Sequence, residues 1–135
     1  MPHQRRRYLG DNIKKALAHY PVLGLMGQRQ VGKTTLSGLY AGEYVTLDIR
    51  QQLDLCDKDP ESFLKNRRHP FVVDESQMSP SLFPAIKEHL RLMPKPGQFI
   101  LTGSVRFTSR KLIRESLTGR IALYELLPLN ISTIT

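Results

Sequence analysis

Along this chain, apolar positions at helical spacing alternate with short, nearly unbroken apolar runs. Ile13, Ala16, Leu17 and Tyr20 recur at helical spacing, with Asp11 placed to cap a short helix and Pro21 to end it. Val22-Leu23-Gly24-Leu25-Met26 follows, an apolar run of the kind expected of a strand buried on both faces. After a Gly-containing loop, Lys33 to Tyr40 is predicted as a helix and Tyr44 to Ile49 as a second strand. Residues 53–66 have a helical pattern around Leu53, Leu55, Phe63 and Leu64, with Pro60 opening a helical turn. Phe71-Val72-Val73 predicts a third strand that ends on Asp74-Glu75. Pro80 and Pro84 bracket the start of a helix running through Ile86 and Leu90, and Gln98 to Thr102 is a fourth strand. A basic helix over residues 109–117 and a fifth strand from Ile121 to Leu126 complete the pattern. Strands alternating with helices imply an α/β fold, a parallel sheet covered on both faces. Ligands of such open sheets sit beyond the carboxyl ends of the strands.

With 135 residues and 40% hydrophobic composition, the chain has the size and composition of one globular domain. Disorder, collagen and disulfide scaffolds are excluded by that composition, and Cys56 is the single cysteine, as expected of a reducing cytoplasm. No apolar run approaches the roughly 18 residues of a membrane-spanning helix. Arg5 to Arg7 is followed by Tyr-Leu-Gly-Asp rather than an apolar stretch, so no signal peptide is expected there. The net charge is +8, with an acidic excess confined to residues 36–64 and basic excesses on either side. That asymmetry suits an anionic partner, whether a nucleotide, a nucleic acid or an acidic protein face, and equally a merely solvated surface.

The segment Gly27-Gln28-Arg29-Gln30-Val31-Gly32-Lys33-Thr34 fits G-x-x-x-x-G-K-[ST] at every fixed position, and Thr35 follows. Glycines let such a loop fold its N–H donors around phosphate oxygens, and the helix opening near Gly32 adds the positive end of its dipole. Lys33 would bridge the terminal phosphates of ATP or ADP, and the Thr34 hydroxyl would ligate Mg2+. Arg29 and Gln30 read as loop surface rather than as reacting groups. The loop follows an apolar strand and opens a helix, the context this motif requires.

Asp74 and Glu75 lie at the end of the third strand. Magnesium takes hard oxygen ligands and keeps several waters, so Asp74 fits as its direct or outer-sphere ligand. Glu75 points elsewhere and can polarise the attacking water. Thr102-Gly103-Ser104 closes the fourth strand, where a hydroxyl can sense the γ-phosphate or hold the water; a plain strand-to-loop turn is the alternative. Arg120 precedes the fifth strand and is either an arginine finger toward a neighbouring subunit or a solvated side chain. Asp48 also ends a strand, at the expected sheet edge. Arg106, Arg110 and Arg114 recur every four residues, with a solvated face, a subunit contact and phosphate-backbone binding as the readings. No aromatics alternate with these arginines, which weakens a single-strand stacking surface.

These segments resemble prokaryotic AAA-type P-loop ATPases in which the AAA domain is followed by a C-terminal domain of unknown function. The family pattern is G-P-R-Q-V-G-K-T-T, D-E-[IV]-Q, L-T-G-S, then L-[AT]-G-R before L-L-P-L. The counterparts here are Gly27–Thr35, Asp74-Glu75-Ser76-Gln77, Leu101–Ser104, Leu117–Arg120 and Leu126–Leu129. Gln28 replaces the usual Pro and Ser76 the usual apolar residue. The resemblance implies a five-stranded parallel sheet of order 5-1-4-3-2 and ATP with Mg2+ as cofactors. It implies Lys33 and Thr34 on phosphate and metal, Asp74 on metal, Glu75 on water and Thr102 as sensor. It divides the chain into an N-terminal helical extension, 1–20, and an ATPase core, 21–135, which stops at Thr135 short of the family's helical lid and second domain.

Three activities fit these features: ATP hydrolysis, a nucleotide-dependent switch or nucleic-acid-binding module with little turnover, and a helicase-like motor fragment. The absence of N-K-x-D, and of D-x-x-G after the third strand, argues against guanine specificity. For a core without its lid, the expectation is slow hydrolysis and affinity drawn mainly from phosphates and Mg2+. Leu123, Leu126, Leu127, Leu129 and Ile131 would then be left uncovered, favouring a homo-oligomer or a C-terminal partner domain.

Overall fold

The computed structural model describes residues 2–27, 40–104, 107–127 and 130–133, with side chains at 11–27, 40–104 and 110–125. Helix α1 (Pro2–His19) leads into β1 (Val22–Gly27). After β2 (Glu43–Thr46) come α2 (Arg50–Lys58), α3 (Pro60–Leu64), β3 (Phe71–Asp74) and a single 3-10 turn (Ser76–Met78). Helix α4 (Leu82–Leu92), β4 (Phe99–Gly103), α5 (Phe107–Leu117), β5 (Ile121–Leu127) and β6 (Asn130–Thr133) follow. The strands form one sheet in the order β2-β3-β4-β1-β5-β6. The first five are parallel, in the order expected, and β6 adds an antiparallel edge beside β5. That sixth strand was not anticipated, because only residues 128–129 separate it from β5 and they carry no hairpin signature.

All six residues of β1 are buried, as the apolar run requires of a central strand. Its side chains alternate between two cores. Val22 and Met26 join Phe71, Val73, Phe99, Leu101, Ile121 and Leu123 beneath α2 to α5. Leu23 and Leu25 join Val72, Ile100 and Ala122 beneath Ile13 and Ala16 of α1. Among the described residues, no helix is long and apolar enough to cross a membrane.

Four expectations change at this level. Asp11 is an exposed residue inside a helix that starts at Pro2, so it does not cap that helix. The predicted 53–66 helix is two helices, divided where Asp59 accepts hydrogen bonds from the Ser62 backbone N–H (3.1 Å) and hydroxyl (2.7 Å), with Pro60 in the first turn of α3. The second strand ends at Thr46, whose Oγ1 accepts from the Asp48 N–H and turns the chain out of the ladder. Leu123 is 5% exposed rather than uncovered. A Cβ on Gly24 would lie 2.6 Å from Leu123 Cδ1 and 3.1 Å from Ile121 Cδ1, so β5 packs into the space that glycine leaves, under Ile113 and Leu117 of α5. The side chains of Leu126, Leu127, Leu129 and Ile131, and all of Arg106, lie outside the described residues.

The edge strand β2 is held through Arg67. Its guanidinium donates to Phe63 O (2.9 Å) and Glu43 Oε2 (2.7 Å) and lies 4.5 Å from the Phe71 ring centre. The Arg68 N–H donates to the other Glu43 oxygen at 3.1 Å. The Arg67 hydrogen bond, followed by that backbone donor, holds the Glu43 carboxyl below the usual glutamate range. A folded-state pKa below the unfolded value means stabilisation that is present at neutral pH and lost as the pH falls through the folded value. Arg67→Lys, which loses the planar fork, is therefore expected to lower the urea midpoint at pH 7, by an amount that shrinks as the pH falls through the folded-state value of Glu43. Equal midpoints at pH 7 would contradict this role for Arg67.

Candidate functional site

Asp74 is the last residue of β3 and is 7% exposed. A carboxyl group this buried needs hydrogen-bond partners, and the strands on either side provide them. Thr102 Oγ1 of β4 donates to Oδ1 at 2.5 Å, and the Tyr44 hydroxyl of β2 donates to Oδ2 at 2.9 Å. The Asp74 carbonyl accepts the Leu47 N–H at 2.9 Å, tying the end of β2 to the same point. Burial, and then the hydrogen bond to Asp74, push the Tyr44 phenol up to about 12, so it remains a donor at neutral pH.

Beyond Asp74 the chain turns sharply. Glu75 lies in the left-handed region, φ 55°, ψ 44°, an uncommon conformation for a residue with a side chain. Gln77 Nε2 donates to Glu75 Oε2 at 2.8 Å, and Ser76 Oγ donates to the Thr102 carbonyl at 3.0 Å. The acidic turn is thereby fastened to the end of β4. Gly103 makes the approach possible: a Cβ there would stand 2.1 Å from Gln77 Oε1. That oxygen is buried and has no hydrogen-bond partner.

The structure thus brings Asp74, Glu75 and Thr102 together at the carboxyl end of the sheet. Gly27 ends β1 at the same pole, with Met26 of β1 in register with Gly103. Residues Gln28, Arg29, Gln30, Val31, Gly32, Lys33, Thr34 and Thr35 lie outside the described residues. Asp48 is exposed past the end of β2, and Ser104 is half-buried just after β4. Arg120 is not brought to this group. Its carbonyl accepts from the Val22 N–H, at the opposite end of β1. In the basic helix, Arg110 pairs with Glu125 at 3.4 Å, and Arg110 and Arg114 border a surface cavity over Ile121 and Leu123.

A family model described as an AAA domain matches residues 19–135. The chain belongs to this family. Membership makes it a P-loop domain of the nucleotide-binding, ATPase type. The chain is also 33% identical over 132 residues to an uncharacterized protein of Mycobacterium bovis and, to the same extent, to one of Mycobacterium tuberculosis. The match takes in 96% of this chain and 30% of each mycobacterial protein, so the chain spans under a third of their length.

The donor set of the AAA domain suits magnesium. Asp74 and Glu75 offer carboxylate oxygens, and Thr102 and Tyr44 offer hydroxyls, all hard. Among the described residues no group of three or more His, Cys, Asp or Glu forms a metal cage. Magnesium at nucleotide sites commonly takes one or two protein carboxylates and completes its shell with phosphate and water.

Sequence reasoning misses Tyr44 altogether and quotes Gln77 only as the last residue of the acidic motif, without a role. Tyr44 reads as an ordinary strand residue; placing β2 beside β3 was the available signal. Because the Gln77 amide is pinned to Glu75 and lies against Gly103, Gly103→Ala is expected to destabilise the domain by roughly 1–3 kcal/mol in urea unfolding, as overpacking does. Adding Gln77→Ala should recover most of that loss, since it removes the clashing atom. A Gly103→Ala protein as stable as wild type would refute the close packing.

Proposed function

We propose that the AAA domain binds ATP with Mg2+ and hydrolyses its terminal phosphate. The observation that carries this reading is the buried Asp74 carboxylate, placed between Thr102 and Tyr44 at the sheet pole where β1 runs into the phosphate-loop sequence. In this scheme the N–H groups of residues 27–35 surround the phosphates. Lys33 neutralises the terminal pair, and Thr34 and Asp74 hold Mg2+. When bound, magnesium would supply neutralisation of the phosphate charge. Glu75 accepts a proton from water as the water oxygen attacks the γ-phosphorus. The bond from phosphorus to the bridging oxygen breaks, leaving ADP and inorganic phosphate. Thr102, hydrogen-bonded to Asp74 on the strand beside β1, has the role of γ-phosphate sensor in this scheme. Arg120, at the far pole, fits this scheme only as a group acting on a neighbouring copy.

A second reading, a nucleotide switch with little turnover, is favoured by the Gln77–Glu75 hydrogen bond, which occupies one carboxylate oxygen of the base. Single-turnover hydrolysis with excess protein separates a slow switch from an ATPase.

Lys33→Ala is expected to weaken ATP and ADP affinity by about 10–100-fold, the equivalent of a lost charge-assisted hydrogen bond. Glu75→Gln should keep nucleotide affinity and lose about 10²–10⁴-fold in hydrolysis. Calorimetry and phosphate release measure these effects. Unchanged affinity in Lys33→Ala would remove the phosphate site, and wild-type turnover in Glu75→Gln would remove the base.

A further inference from the structure

The three hydroxyl and carboxyl groups at the end of the sheet come from three adjacent strands, and only two of them figure in the scheme above. The third, Tyr44, lies on the edge strand, with the residue 39% exposed and its hydroxyl bonded to Asp74 Oδ2 at 2.9 Å. A phenylalanine would cover the same apolar surface, so packing does not require the oxygen.

A carboxylate offers roughly four acceptor positions over its two oxygens. Thr102 takes one on Oδ1 from the β4 side, and Tyr44 takes one on Oδ2 from the β2 side. Donors on both oxygens, from strands on opposite sides, fix the rotation of the carboxyl plane. With Thr102 alone, the group could pivot about its bond to the β-carbon and carry Oδ2 with it. We propose that Tyr44 is a positioning residue for Asp74, its hydroxyl locking the carboxylate so that the remaining lone pairs face a divalent cation carried by the nucleotide phosphates. This rests on Asp74 being the magnesium ligand of the proposed function. Partners that orient a ligating carboxylate change metal affinity by roughly 10–100-fold when removed.

The test measures ADP binding to the whole chain by calorimetry, across a magnesium titration and in EDTA. Four proteins are compared: wild type, Tyr44→Phe, Asp74→Asn and the double variant. Tyr44→Phe deletes only an oxygen from a partly exposed ring, so it retains the fold, which thermal unfolding checks. The expected result is a half-saturating magnesium concentration about 10-fold higher in Tyr44→Phe, with metal-free ADP affinity unchanged. Asp74→Asn should show at least that shift, and Tyr44→Phe should add nothing in the Asp74→Asn background. Wild-type magnesium dependence in Tyr44→Phe, alongside a shifted Asp74→Asn, overturns the role of Tyr44 and leaves the metal site standing. An equal loss of affinity with and without magnesium marks a structural role and also overturns it. If neither Asp74→Asn nor magnesium alters ADP binding, the metal-site reading fails and takes this inference with it.

Discussion

Burying the carboxyl group of Asp74 at the end of a parallel strand obliges the neighbouring strands to supply hydroxyl donors that reach its two oxygens. The strand order satisfies that demand because β3 lies between β2 and β4: Thr102 comes from the end of β4, and Tyr44, opposite Val72 in the first half of β2, reaches up to the other carboxyl oxygen. A change of order would take a donor strand away from β3, and a slip of one residue in either register would turn its donor to the opposite face of the sheet. The ladder, the two cores and the polar end group therefore constrain one another.

The same junction links the phosphate-loop strand to the acidic turn. β4 touches β1 along one edge and β3 along the other, so Thr102 and Gly103 stand between the start of the loop and the Asp74-Glu75 pair. Ser76 bonds to the Thr102 carbonyl and Gln77 packs on Gly103, which makes the end of β4 a shared support. A displacement of that strand end would be felt by Asp74 through a hydroxyl and by Glu75 through an amide.

Much of this was legible before any coordinates. Asp74 and Thr102 each terminate an apolar run, so their placement at the carboxyl pole follows from strand direction alone. Their adjacency came from the strand order implied by family resemblance, because a hydrophobic pattern carries no information about which parallel strands are neighbours. Tyr44 was not legible for another reason: the same order sets β2 beside β3, but not the register that carries the Tyr44 hydroxyl to a carboxyl group 30 residues away. Gln77 was hidden differently. Its contact with Glu75 needs a left-handed backbone that a glutamate does not advertise. Asp11 misled because a good capping residue inside a longer helix looks the same in sequence as one at its start, whereas Pro60 marked the start of a helical turn although its cap, Asp59, was not singled out.

The turn at Glu75 has an evolutionary side. In a left-handed backbone, Gly or Asn is the residue that local sterics favour, and a side chain such as glutamate there costs on the order of 1–2 kcal/mol. Selection for folded abundance alone would thus drift toward Glu75→Gly or Glu75→Asn, while selection for the proposed hydrolysis would hold the carboxylate. Position 75 is where the two pressures diverge most directly. A lineage that kept the sheet but abandoned the reaction should show its first change there, well before the apolar strands record the loss.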